Sequence, residues 1–185
     1  KKSITEAVAS STITQKNFIS NSWQQHNIFM VANSSKLWET EQGRAIEYGN
    51  LVHEILSKIF SSSDVEKVVQ QYFHQGFLNL ENAIKIKRIL FDIVAHPKLK
   101  SSFSDEVIVF NEREIVSKEN HIFIPDRLVF NQQNEVIIID YKTGKPSKEH
   151  HQQLITYEDV LTSMQIKVVK KLLIYINEQI LVEEV

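Results

Sequence analysis

The 185-residue sequence predicts an α/β fold: a central mixed sheet flanked by helices, with extra helices at its N-terminal end. Three observations carry that expectation. Apolar residues recur at helical spacing as far as Pro97. The period then shortens to that of strands between Glu106 and Tyr141, and a helix and another apolar strand follow. The length suits one domain with a substantial core.

Taken in order, Thr14–Phe29 carries Phe18, Ile19, Trp23 and Phe29 in an uneven helical stripe, and Ala32–Thr40 is looser. Residues 1–40 are therefore expected to form a helical extension or linker, and residues 41–185 the main domain. Glu41–Phe60 sets Ile46, Leu51, Val52, Ile55, Leu56, Ile59 and Phe60 on a helical stripe. Asp64 reads as the N-cap of a helix over Val65–Gln75, with Val68, Val69, Tyr72 and Phe73 inward. Leu80–Ala95 is a further amphipathic helix, stopped by His96-Pro97. Glu106–Val116, His121–Phe130 and Glu135–Tyr141 predict a three-strand antiparallel meander with polar turns at Lys118–Asn120 and Asn131–Asn134. Ser147 is expected to cap a helix reaching Met164, and Lys171–Ile176 and Ile180–Val182 to add strands.

Composition narrows the function. A formal net charge of −2 speaks against a nucleic-acid grip by bulk positive charge. Cysteine is absent, which removes disulfides, thiolate-held zinc and iron–sulfur clusters. Apolar runs fall short of a membrane span and no secretory signal opens the chain, so no membrane partner and a cytoplasmic location are expected. No GxxxxGK[ST] phosphate loop is present. The chain starts with Lys-Lys and ends on the apparent strand ILVEEV, and it reads as a piece of a longer protein.

The stretch IIIDYKTG, Ile137–Gly144, carries the chemistry. A run of β-branched residues reads as a strand buried on both faces, yet it ends in Asp140 and Lys142. With Gln132-Gln133-Asn134 as the loop, Asn131 stands opposite Glu135. The same register sets Asp126 opposite Asp140, with Cβ atoms about 4.5–5.5 Å apart. Like charges so placed repel, and Lys142, two residues on, points to the same face. Two converging carboxylates offer oxygen ligands to Mg²⁺ or Mn²⁺. The plainer reading is an ion pair of Asp126 with Arg127 or Lys142 at a sheet edge. A slip of one residue would turn the carboxylates to opposite faces.

These elements resemble the PD-(D/E)XK nucleases: IPDRLVF carries Pro125-Asp126, and VIIIDYKTG carries D-x-K as Asp140 and Lys142. Two more resemble the RecB/AddA-type branch, the nuclease domain of bacterial helicase–nucleases. GNLVHEIL (Gly49–Leu56) looks like its G-x-x-x-H helix, and QLITY (Gln153–Tyr157) like its Q-x-x-x-Y helix. The likeness covers Gln42–Ile176. Phe123 stands where the family often has glycine. The cysteines that hold an iron–sulfur cluster in several relatives are missing, as in the helicase-linked type.

The resemblance implies a restriction-endonuclease-like core, with residues 41–185 as the nuclease domain. It implies a Mg²⁺ or Mn²⁺ ion held by His53, Asp126, Asp140 and the carbonyl of Tyr141. Asp126, Asp140 and Lys142 would be catalytic, and Gln153 and Tyr157 would bind substrate. The implied activity is exonucleolytic hydrolysis of DNA by an activated water, in recombination and repair. Single-stranded ends would come from a helicase domain of the same full-length chain, with a second nuclease or helicase subunit as partner. The alternatives are a catalytically silent DNA-binding or interaction module of the same fold, and a free-standing endonuclease.

Several residues also carry plainer readings. His53 lies among apolar helix positions, where a lone histidine is commonly a core group. Gln153 and Tyr157, at i and i+4, share a helix face and would serve as a polar pair beside the core. His150 and His151 read as solvated first-turn residues, and Glu54 as an exposed glutamate. Glu112 and Glu114 are edge charges within reach of an ion, and Lys145 either touches phosphate or does nothing.

Overall fold

The computed structural model describes residues 41–185 apart from position 178, so the expectations for residues 1–40 lie outside the described residues. Three helices come first, α1 (Glu41–Ser57), α2 (Asp64–His74) and α3 (Leu80–Ala95), with a 3₁₀ turn at Lys100–Phe103 after them. The third matches its expected span. Ala83, Ile86, Leu90, Ile93 and Val94 are its buried residues, and the Asn79 side chain caps it by accepting from the Asn82 N–H at 2.8 Å.

The first helix is shorter than its apolar stripe. The N–H groups of Lys58 and Ile59 bond three residues back, to the carbonyls of Ile55 and Leu56, which tightens the last turn. The carbonyls of Ile59 and Phe60 then leave the helix axis for Arg127. Ile59 stays buried, but Phe60 and Ile46, both expected inside, are exposed. In α2, Asp64 is the first helical residue instead of the cap. Its carboxylate accepts from the N–H groups of Phe60 and Ser61 at 3.0 and 2.8 Å and so braces the preceding turn. Tyr72 takes the inward position, while Phe73 is exposed.

The strands are β1 (Ile108–Asn111), β2 (Ile115–Val116), β3 (Ile122–Phe123), β4 (Arg127–Phe130), β5 (Val136–Lys142), β6 (Val168–Ile176) and β7 (Ile180–Glu184). A five-stranded sheet has the order β1-β4-β5-β6-β7, and β2 and β3 form a separate pair. The expected meander is β1-β4-β5, antiparallel throughout. Two expected strands are each broken in two. Glu112 adopts φ 47°, a left-handed conformation that ends β1. Pro125 has no N–H to give a ladder, and the chain re-enters the sheet only at Arg127. Asn120 and Asn134, with φ 63° and 59°, make the two polar turns, as asparagine tolerates that conformation.

Strands β5 and β6 run parallel, so the chain needs a crossover, and α4 (Lys148–Ser163) supplies it. Ser147 precedes it in extended conformation, but its hydroxyl donates to the Glu149 carboxylate and caps no backbone N–H. The sheet is covered on both faces. Val129, Ile139, Tyr141, Leu172 and Ile174 pack against α1, α2 and α3. Leu128, Val136, Ile138, Leu173 and Tyr175 pack against Leu154, Tyr157, Val160 and Leu161 of α4. Each such aliphatic side chain contributes roughly 1.5–3 kcal/mol on burial. This double coverage explains why β5 reads as a continuous apolar run. Among the described residues no helix is long and apolar enough to cross a membrane.

Candidate active site

Alternation along β5 fixes where Asp140 goes. Val136 and Ile138 face α4, so Asp140 and Lys142 face it too. The β4–β5 ladder pairs Arg127 with Ile139, Leu128 with Ile138, Val129 with Ile137 and Phe130 with Val136. That is the register expected from the Asn131–Glu135 turn. Asp126 lies just past the last ladder pair, on the Asp140 side. Its Oδ2 reaches across and accepts the Tyr141 N–H at 2.7 Å, while its own carbonyl accepts from Glu112 N–H at 3.0 Å. A side-chain oxygen thus takes over where the backbone ladder stops.

Arg127, one residue on, turns to the opposite face. Its guanidinium is fully buried, donates to the carbonyls of Ile59, Phe60 and Ser102 and to Asn111 Oδ1, and stacks 4.0 Å over the Phe103 ring. The ion pair of Asp126 with Arg127 is therefore not made. Lys142 pairs with Asp140 instead, Nζ to Oδ2 at 2.6 Å, and donates to Gln153 Oε1 at 2.9 Å. The contact with Asp140 is close but poorly directed: Oδ2 is buried without a hydrogen-bond donor aimed at it, so the pair is held by charge. Burial, then the neighbouring Asp126 charge, push the Asp140 carboxyl up to about 6, against the pull of Lys142 and His53.

His53 arrives from the other face of the sheet, on α1. Gly49, one turn earlier, lets that helix come close: a Cβ there would stand 2.6 Å from Thr143 Oγ1, in the residue after Lys142. His53 Nδ1 lies 3.6 Å from Asp126 Oδ2, an ion-pair separation longer than a hydrogen bond, and the ring sits edge-on to Tyr141. The Asp126 carboxylate raises its pKa above the usual value. Tyr141 enters the site through its backbone. Its side chain is buried on the α1 face with an unpartnered hydroxyl, and burial drives that hydroxyl's pKa far up.

Other candidates fall elsewhere. Glu54 accepts from the Tyr72 hydroxyl at 3.0 Å. Glu112 is held at the site's edge through its backbone, and the side chains of Glu112, Glu114 and Lys145 are exposed. His150 and His151 are not simply solvated: they contact the Tyr175 hydroxyl at 3.2 Å and Glu183 at 2.9 Å. Arg127 was missed as a structural centre, although one arginine opening the run RLVF was the available signal. A concavity lined by Phe91, Val94, Lys100 and Phe103 shares no residue with this site.

The family model of the PD-(D/E)XK nuclease superfamily matches residues 28–184. The chain belongs to that superfamily. Pro125-Asp126 and Asp140-Tyr141-Lys142 spell the pattern after which the PD-(D/E)XK proteins are called, and the sheet brings its two acids together. Among solved structures, the crystal structure of SSO0001 is similar over 71% of this chain and 65% of its own, with 18% identity and a TM-score of 0.31. No curated protein matches.

A divalent cation suits the donors of this candidate site. Asp126 and Asp140 repel each other, and the buried Asp140 Oδ2 lacks a directed donor. Among the described residues no three His, Asp or Glu side chains stand together as a ligand cluster, and His53 meets the acids through Asp126 alone.

Proposed function

We propose that the chain is a metal-dependent DNA nuclease that hydrolyses phosphodiesters at the Asp126–Asp140–Lys142 site. The observation that carries the reading is the Asp140 carboxylate near the end of β5, with the Asp126 carboxylate across from it ahead of β4 and the Lys142 ammonium beside them. Asp126 and Asp140 would hold Mg²⁺ or Mn²⁺, joined by His53 and the Tyr141 carbonyl. The ion, when bound, acidifies water and polarises a phosphate oxygen. Lys142 stands ready to orient the attacking water or to offset charge building on the phosphate. Tyr141 N–H fixes the direction of the Asp126 carboxylate, and the ladder fixes Asp140.

The finer assignment is an exonuclease domain of a RecB/AddA-like helicase–nuclease, working in the cytoplasm in recombination and repair. Its support is the order of Gly49, His53, Gln153 and Tyr157 around the catalytic strand, together with the place of Gly49 against Thr143. A helicase domain in the same full-length chain would feed it single-stranded ends.

Cleavage of linear and circular single-stranded DNA with Mn²⁺ tests the reading. The expected result is cutting of linear DNA that chelator and Asp140→Ala abolish, with circles spared. Undiminished cutting by Asp140→Ala would refute the site, and equal cutting of circles would refute the exonuclease assignment.

A further inference from the structure

The amide of Gln153 is engaged at both ends. Its Oε1 accepts from Lys142 Nζ at 2.9 Å, and its Nε2 donates to the Tyr157 hydroxyl at 2.6 Å. That hydroxyl in turn donates to the Ile124 carbonyl at 3.3 Å, two residues ahead of Asp126. Tyr157 is only 4% exposed, and its ring sits edge-on to Phe123. Lys142 Nζ closes the circuit at Asp140. A side chain that grips an incoming strand needs a free donor or acceptor facing solvent. The Tyr157 hydroxyl accepts and donates inside the protein, and each end of the Gln153 amide has an inward partner that fixes its orientation, leaving one Nε2 hydrogen over. A lysine ammonium on its four-carbon stem has many rotamers open to it, and an acceptor on its far side selects one.

We propose that Gln153 and Tyr157 are positioning residues, which hold the Lys142 ammonium against Asp140 and tie the Ile124–Asp126 segment to α4, and that they do not grip DNA. The inference rests on the nuclease reading of the Lys142 site. Gln153 acts on Lys142 directly. Tyr157 acts at one remove, by fixing the Gln153 amide and the segment ahead of Asp126.

Steady-state cleavage of a single-stranded oligonucleotide by the full chain with Mn²⁺ separates positioning from grip. Gln153→Leu is expected to lower kcat about 10- to 100-fold with KM within about twofold, the scale of a misplaced catalytic group. Tyr157→Phe, which keeps the ring against Phe123, should lower kcat about 3- to 10-fold, again at unchanged KM. Gln153→Glu retains an acceptor for Lys142 and should regain most of kcat. A raised KM at preserved kcat, steepest for Gln153→Glu because it carries charge towards phosphate, would overturn the proposal. A second readout needs no turnover. The ¹⁵N signal of the Lys142 ammonium should exchange slowly with water in the wild type and be lost in Gln153→Leu. An unchanged signal in that variant would also overturn the proposal. Wild-type protein that cuts nothing would refute the nuclease reading instead, leaving the ammonium signal to decide the positioning.

Discussion

Asp140→Asn should make the metal-free protein more stable at neutral pH while abolishing cleavage. The Asp140 side chain is 2% exposed, and its carboxyl is pushed from the usual 3.8 to about 6 by burial and by Asp126. At about 1.36 kcal/mol per pKa unit, keeping it ionised costs the fold about 3 kcal/mol. The sign follows from proton binding. Between pH 3.8 and about 6 the folded chain holds a proton that the unfolded chain has released. Stability contributed by that proton is complete below the lower value and lost as pH rises through the upper one. Wild type therefore bears the whole penalty at pH 7.5, whereas asparagine, of the same shape and uncharged, bears none at any pH. For a chain of this size about 3 kcal/mol corresponds to roughly 6–12 °C in Tm. Thermal melts in chelator at pH 4, 5, 6 and 7.5 should show the variant melting higher at pH 7.5, with the gap closing towards pH 4. Mn²⁺ should then raise the Tm of the wild type and leave the variant unmoved. A variant that melts at or below the wild type at pH 7.5, or a gap indifferent to acid, would refute the argument from burial and repulsion.

Two further outcomes test the flanks of the site. Gly49→Ala places a methyl 2.6 Å from Thr143 Oγ1, so Thr143 must rotate or α1 must shift; we expect destabilisation of about 1–3 kcal/mol by urea titration, with reduced cleavage. A companion Thr143→Ala change should recover most of that loss, and no recovery would show that the contact is not the cause. NMR titration should find His53 above its usual 6.5 in the wild type and lower in Asp126→Asn. Protonated His53 thus adds stability that is complete below 6.5 and lost as pH passes its folded value, and identical titrations in the two proteins would mean that the Asp126 contact does not form in solution.

Much of the site was legible from local rules. The third helix announced itself through its apolar period and His96-Pro97, both within one segment, whereas its Asn79 cap emerged only with the structure. The β4–β5 register followed from a single turn, because side chains alternate strictly along strands and Asn134 accepts the left-handed conformation that the turn needs. What could not be read locally was where unlike segments meet. Phe60 and Phe73 look as apolar as their buried neighbours, and only the packing of α1 and α2 decided which side chains were covered.

By itself, the sequence determined the strand that carries Asp140 and Lys142, the register that brings Asp126 beside them, and the order of the helices around it. Those follow from side-chain period and turn chemistry, which act over a few residues. The tertiary structure decided that Arg127 leaves Asp126 to brace the end of α1, that His53 reaches Asp126 from the opposite face, and that Gln153 spends its amide on Lys142 and Tyr157. Each of these choices is made between groups far apart in the chain. It is settled by which buried donors and acceptors find partners once both faces of the sheet are closed.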